Sequence, residues 1–331
     1  MKEVPFKIAG MGCYVPETIV SNNDIQHEYQ IEPEAFPGQY NVEERRWVSD
    51  ETPSWMGAKA ALEAVEMAGL ELEDIDLIVN ASCTSSLERI MPEGGALIQR
   101  QLGLEDSGIP CFSLHANCPG FIQAIDMCAS LLACNRYENI LIVSAELFSK
   151  NLGKQYPDAV ALVGDGAAAA VVTLPSAGET ASILGIDMRT FGNHSDEISS
   201  AIGMEMIRGG SRERGDGLFK VDLPSYLEKS SPYLKELLKE LRGVYGDSLT
   251  EIDLAVIHHP GDWIPGIIEG ELGIPREKCS YINDKCGMFG SASIPVSLYE
   301  AISRRMIGRG DTILMIGAGA GISLAGAVLK Y

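Results

Sequence analysis

No stretch of this chain reaches the eighteen or so apolar residues that a membrane span needs, and Met1 to Lys7 has no apolar signal-peptide core. Neither a membrane span nor export is expected, so the reading is cytoplasmic. Basic residues are scarce: 26 Lys and Arg stand against 46 Asp and Glu, a formal net charge of −20. That balance excludes generic nucleic-acid binding, which needs a basic face. An anionic substrate or an acidic partner would then require a local basic patch. Arg45-Arg46-Trp47 and the group Arg208, Arg212 and Arg214 are the obvious clusters, and each reads more readily as solvated surface. Cys-x-x-Cys pairs are missing as well. The eight cysteines are scattered, most of them in apolar stretches (Cys13, Cys111, Cys128, Cys134), which suits core thiols better than a disulfide or zinc framework. No metal is expected. Histidines number five: His27, His115, His194, His258 and His259.

What is present is a long, well-buried chain. With 331 residues, 46% of them hydrophobic, it is large enough for two core-bearing units or one pseudo-duplicated domain. A faint internal repeat favours duplication. Leu70-Glu-Leu-Glu-Asp-Ile-Asp-Leu-Ile-Val-Asn-Ala-Ser82 resembles Asp247-Ser-Leu-Thr-Glu-Ile-Asp-Leu-Ala-Val-Ile-His-His259, and Asn139 to Glu146 echoes Asp311 to Gly319. Each is a β-branched run, read as a buried strand. Strands alternating with helices predict mainly parallel sheets covered by helices, here layered α/β/α/β/α. Turn formers in Leu174-Pro-Ser-Ala-Gly-Glu179 set the boundary, giving halves 1–176 and 177–331. Gly192 to Gly217 reads as a mobile surface loop.

Cys118 is the residue on which the chemistry turns. It lies between a strand-like run, Ile109 to Leu114, and an apolar helical run from Phe121 to about Cys134, with Pro119 suited to the first helical position. At a helix N-terminus the dipole and free amides favour a thiolate, hence a nucleophile. A thiol nucleophile needs a base and an oxyanion hole. His258 follows the run Leu254 to Ile257, at the strand end where the ligand groups of parallel sheets gather, and a structural hydrogen bond is its alternative role. His259 competes with it, while His115 is expected to pack or hydrogen-bond in the preceding strand. The oxyanion donors are the N–H of Cys118 and an amide of the glycine-rich segment around Gly319, Ala320 and Gly321. That segment stands too near the C-terminus for a dinucleotide-binding βαβ unit. Asp165, in Val163-Gly-Asp-Gly166, is read as capping a backbone segment near the nucleophile helix.

These residues resemble the 3-oxoacyl-(acyl-carrier-protein) synthase III group of the thiolase-like superfamily. The likeness rests on Ile8 to Pro16, Glu44-Arg-Arg46 with Asp50-Glu-Thr52, Cys118-Pro-Gly-Phe121, Val163-Gly-Asp-Gly166, Gly217-Leu-Phe-Lys-Val221 and the final Gly317 to Tyr331. The resemblance implies a thiolase-like five-layer fold with two pseudo-duplicated halves, a homodimer and a Cys118 acyl-enzyme. It also implies that acyl-coenzyme A or an acyl-carrier protein serves as substrate, with no permanently bound cofactor. By the same likeness His258 falls on the family's catalytic histidine, Met91 falls near the position that reaches the partner's acyl pocket, and Phe289 is expected to line that pocket.

One departure matters. The family's Gly-Asn-Thr-Ser segment reads Gly287-Met288-Phe289-Gly290 here, so Met288 replaces an asparagine that donates to the enolate oxygen. A thioether donates no hydrogen bond. Three readings follow. The chain is a condensing enzyme, or an acyltransferase to an alcohol, an amine or another acceptor, or a non-catalytic partner subunit of a ketosynthase. The last is disfavoured by the presence of Cys118 and His258.

Overall fold

The computed structural model describes residues 3–31, 41–84, 88, 92–199, 219–245, 249, 251–258 and 263–331. Two sheets carry the fold. In the first, the strands Lys7–Tyr14, Gly166–Thr173, Ile140–Glu146, Leu77–Asn80 and Cys111–Ser113 lie side by side in that order. In the second, Val4–Pro5 precedes the order Ser182–His194, Gly321–Lys330, Thr312–Gly319, Leu254–Ile257 and Cys279–Ser280. The pairings run antiparallel, antiparallel, parallel, parallel across the first sheet. Across the five matching strands of the second sheet they repeat in the same sense. Val4–Pro5, from the start of the chain, caps the edge of the second sheet by pairing with Ser182–His194.

Period-two alternation assigns each strand side chain to a layer. Leu77 and Val79, Ile140 and Ile142, Leu254 and Val256, Ile313 and Met315 all point into one cluster between the two sheets. That cluster is filled by the helices Gly120–Ala133 and Ser293–Ser303. Phe121, Ala124, Ile125, Cys128, Ala129 and Leu132 recur at helical spacing and are buried there, while Asp126 and Ser130 mark the exposed face. Ile78, Leu141 and Val143 point the other way, against the helices Pro53–Ala68 and Gly94–Gln101. Ala255, Ile257, Leu314 and Ile316 likewise face the helices Leu223–Tyr245 and Trp263–Leu272. The result is five layers, α/β/α/β/α, as the repeat predicts. No helix among the described residues is long and apolar enough to cross a membrane.

Residues 192–199 hold the end of Ser182–His194 and the short strand Ile198–Ser199, which pairs with Lys220–Val221, where a loop was expected. The rest of that expected loop, with Arg208, Arg212 and Arg214, lies outside the described residues.

Candidate active site

The two candidate reactive side chains follow parallel strands of different sheets. Cys118 lies in the turn after Cys111–Ser113, while His258 follows Leu254–Ile257 in the other sheet. Asn117 takes the left-handed region at φ 53°, and Gly120 N–H donates to Asn117 O at 2.9 Å. This tight turn delivers Cys118 to the start of the helix, which begins at Gly120 with Pro119 as its cap. On the opposite side Gly319 closes onto the nucleophile. A Cβ there would stand 2.9 Å from Cys118 Cβ and 3.0 Å from its nitrogen, so only glycine permits the approach. The N–H groups of Ala320 and of Cys118 itself face the sulfur. Two of the expected oxyanion segments, Cys118 and Gly319-Ala320, therefore meet. Gly321 turns the hairpin at φ 86° and its amide is not among those facing the sulfur.

The nucleophile's charge state differs from the sequence expectation. Burial, reinforced by the nearby Glu146 carboxylate, pushes the Cys118 thiol up to about 12, and the two N–H groups offset this only in part. A helix N-terminus adds a fraction of a charge, whereas burial removes the solvation of a whole one. Cys118 therefore rests as a thiol.

His258 is buried, and its main-chain N–H donates to Ile316 O at 2.9 Å. Neither ring nitrogen has a hydrogen-bond partner among the described residues. Burial brings the ring down to about 4, against a weaker upward pull from the Ala318 carbonyl and its own. The imidazole is therefore neutral at pH 7. Cys118 and His258 share the strand Thr312–Gly319 as their support: the His258 ring meets Ala318, and the Cys118 sulfur meets Ala320 just beyond the strand end.

Sequence reasoning missed the neighbour that most affects Cys118. Glu146 ends the fully buried strand Ile140–Glu146 and accepts from Cys83 N (2.8 Å), Thr84 N (2.9 Å), Thr84 Oγ1 (2.6 Å) and Ser291 Oγ. Burial raises its pKa, and the hydrogen bonds oppose that. A lone carboxylate closing an apolar strand was the available signal. Cys83, whose thiol is pushed up by burial, Glu146 and Cys118, belongs to the same neighbourhood, so Cys118 is not the one cysteine in this setting.

Several expected site residues stand elsewhere. Arg45 is buried, its guanidinium donating to Ala161 O (2.8 Å from Nε) and to Asn22 Oδ1, so it offers no surface to a coenzyme A phosphate. Trp47 is likewise buried, with Nε1 donating to Val163 O at 3.0 Å. Arg46 is half-buried and reaches Pro16 O and Glu17 O at 3.3 and 3.4 Å. Phe289 fills the space left by glycine: a Cβ on Gly164 or Gly166 would stand 2.7 or 2.5 Å from its ring. It clusters with Ala168, Ile282, Ala292 and Val296. His115 lies beyond the strand end and is exposed, not packed within a strand. Met288 is buried and held by its main chain, N–H to Leu162 O at 2.9 Å and O from Gly164 N at 3.0 Å. Asp165 accepts from Val48, Phe148 and Ser149 N–H at 2.8–2.9 Å, stapling three backbone segments. Met91 and His259 lie outside the described residues.

Comparison with known proteins agrees with this geometry. The family model described as 3-oxoacyl-[acyl-carrier-protein] synthase III matches residues 112–192, and its C-terminal model matches 246–331. A β-ketoacyl-[acyl-carrier-protein] synthase III from Aquifex aeolicus is 32% identical over 325 residues, 98% of this chain and 99% of that one. The crystal structure of the 3-oxoacyl-[acyl-carrier-protein] synthase III of the same organism superposes with a TM-score of 0.86 at 28% identity, covering 98% and 100% of the two chains. An OleA variant from Xanthomonas campestris shares the fold at a TM-score of 0.84 and 21% identity, covering 99% of this chain and 98% of that one. With a 32% identical relative matched along nearly its whole length, the chain belongs to the 3-oxoacyl-[acyl-carrier-protein] synthase III family.

Proposed function

We propose that this protein transfers acyl groups through a thioester on Cys118, taking them from acyl-coenzyme A or an acyl-carrier protein and passing them to a carbon nucleophile in a Claisen condensation. The setting would be fatty-acid or specialised, polyketide-like biosynthesis. The observation that carries the reading is the placement of Cys118 beside the Ala320 and Cys118 N–H groups, with His258, neutral and without a hydrogen-bond partner for its ring among the described residues, packed on the same supporting strand.

In the first step the Cys118 sulfur bonds to the thioester carbonyl carbon, the carbon–sulfur bond to the donor breaks, and the thiol proton passes to the leaving thiolate. Charge that develops on the carbonyl oxygen is met by the two main-chain N–H groups, which need no reorganisation. In the second step a malonyl thioester loses its carboxylate as carbon dioxide, and the resulting enolate carbon bonds to the acyl carbon. The carbon–sulfur bond to Cys118 breaks, and the Cys118 thiolate takes a proton from solvent; with an alcohol or amine acceptor the proton comes from the acceptor. His258, neutral at pH 7, is able to donate to an enolate oxygen or to take a proton from an alcohol or amine. We further take residues 1–176 as the half that carries the nucleophile, residues 177–331 as the half that carries the histidine, and the working unit as a homodimer.

Met288 favours a second reading. Removing an oxyanion donor costs on the order of 10²–10³ in rate, and Met288 presents a thioether where the family has an amide. Transfer to an alcohol, amine or other acceptor needs no enolate stabiliser and escapes that loss. The test is to load the enzyme from acetyl- or octanoyl-coenzyme A, add malonyl-carrier protein or malonyl-coenzyme A, and follow adduct mass and 3-oxoacyl product together. Loss of the adduct with product supports condensation. A stable Cys118 adduct that ignores both malonyl donors selects the non-decarboxylating reading, and the absence of any adduct on Cys118 overturns both.

A further inference from the structure

The turn that supplies the Ala320 N–H is held by Tyr226, a residue distant in sequence from both Cys118 and His258. Tyr226 lies in the helix Leu223–Tyr245, on the outer side of the second sheet, and is buried. Its hydroxyl donates to Gly319 O at 3.1 Å. Gly319 C=O and Ala320 N–H belong to one peptide unit. That unit is planar and trans, so its carbonyl and its N–H point in opposite directions. Fixing the carbonyl on Tyr226 therefore aims the N–H the other way, and that is where the Cys118 sulfur lies. The peptide stands at the hairpin turn: Thr312–Gly319 ends at Gly319, which pairs with Ser323, and Gly321–Lys330 begins after the single residue Ala320. Asn117 Nδ2 holds the next carbonyl, Ala320 O, from the nucleophile side at 3.4 Å. A hydrogen bond accepted at a peptide carbonyl also polarises the same amide, and by general estimates strengthens its N–H as a donor by roughly 10–30%.

We propose that Tyr226 is a positioning residue for the oxyanion donor: it orients and polarises the Gly319–Ala320 peptide so that the Ala320 N–H meets charge arising at Cys118 or on the bound thioester. The assignment deepens the acyl-transfer reading and rests on it for its catalytic consequence. Its structural premise, one peptide bridging Tyr226 and Cys118, stands without that reading. The titratable groups facing Cys118 are Glu146 from the strand Ile140–Glu146, Cys83 from the segment after Leu77–Asn80, and Tyr226 itself.

The experiment uses the full chain and the variant Tyr226→Phe, which keeps the ring and removes the donor. Single-turnover acylation by octanoyl-coenzyme A is expected to slow about 10-fold at saturation, a fraction of the 10²–10³ for losing a whole donor. Half-saturation should stay within about twofold, because the peptide meets the transition state more than the ground state. A second readout needs no acyl transfer. Alkylation of Cys118 by iodoacetamide, followed against pH, is expected to move to higher pH in Tyr226→Phe because the thiolate loses part of its donor. Wild-type acylation kinetics and an unmoved alkylation profile would overturn the proposal. If the wild-type protein forms no acyl adduct, the acyl-transfer reading fails and the alkylation profile still decides the role of Tyr226. If Tyr226→Phe does not fold, 3,5-difluorotyrosine at position 226 decides. Its stronger donor, kept protonated at pH 7 by burial, is expected to speed single-turnover acylation there, and an unchanged or slower rate overturns the proposal.

Discussion

Ser291 Oγ donates to the Glu146 carboxylate, tying a turn of the second half to a strand end of the first beside the nucleophile. Glu146 has no cationic partner among the described residues, and its four hydrogen bonds substitute for one. Such a carboxylate holds the site together and at the same time opposes negative charge on Cys118.

Glu146→Gln separates the two effects. Removing the charge takes away an upward push on the Cys118 pKa and enlarges the thiolate fraction, so its alkylation by iodoacetamide at pH 8–9 is expected to quicken about 3- to 10-fold. Because the amide NH₂ would face N–H donors, folding stability should fall by about 1–3 kcal/mol. Both are measurable on one preparation, by adduct mass and by thermal denaturation. A slower or unchanged alkylation rate in a folded variant would remove Glu146 from the control of Cys118.

His258 makes a pH prediction of definite sign. Its ring is brought down to about 4, so it stays neutral from pH 8 to well below its usual 6.5. Transfer from acyl-Cys118 to an acceptor should be flat between about pH 5.5 and 8, and should fail only as the ring gains its proton near pH 4. Because the folded value lies below the unfolded one, the ring's contribution to stability is complete above about pH 6.5 and declines as pH falls toward 4. His258→Ala should lower the transfer rate by about 10²–10⁴ while leaving the Cys118 adduct able to form. An inflection near 6.5 in the transfer profile would contradict a buried, neutral ring.

Much of this was legible in the chain, for identifiable reasons. The β-branched runs Leu77–Asn80 and Leu254–Ile257 gave away the buried parallel strands, and their likeness gave away the duplication. Cys118 was legible because a cysteine between a strand and an apolar helix, followed by proline, is placed for chemistry more than for packing. Its protonation was not, since helix placement shows in sequence and depth of burial does not. Arg45 was misread because Glu44-Arg-Arg46 looks like surface, whereas the strand Glu44–Arg46 alternates and turns the middle residue inward. Glu146 and Tyr226 escaped because their partners, Ser291 and Gly319, lie 145 and 93 residues away along the chain.

Asp165 is buried at a junction rather than at the site, and its effect should be on stability. Asp165→Ala would leave the N–H groups of Val48, Phe148 and Ser149 without their acceptor. Each orphaned buried donor costs about 1–3 kcal/mol, and relaxation of the surface segment around Ser149 should keep the total near the lower end for that group. A loss of about 3–5 kcal/mol in denaturant unfolding is expected. A change under 1 kcal/mol would mean the three segments do not depend on this carboxylate.

Met288→Asn tests the departure on which the two proposed readings divide. The main chain at this position is fixed from both sides, by Leu162 O and Gly164 N, so the exchange should alter the side chain and leave the loop in place. Asparagine brings a donor that methionine lacks, into a site that buries Met288 at 4% exposure. Without substrate that amide must find a partner or cost about 1–3 kcal/mol, so the variant should be less stable than its parent. On the proposed condensing reading this donor meets the enolate oxygen of a malonyl thioester, and decarboxylation should rise about 10- to 100-fold, part of a full oxyanion donor's worth. Carbon dioxide release and 3-oxoacyl product, measured on pre-acylated enzyme, read this directly. Transfer to an alcohol or amine acceptor should change little, because no enolate forms. If decarboxylation does not rise in a folded Met288→Asn protein that still acylates, the missing donor was not what limited it, and the enolate must be met by another group such as His258.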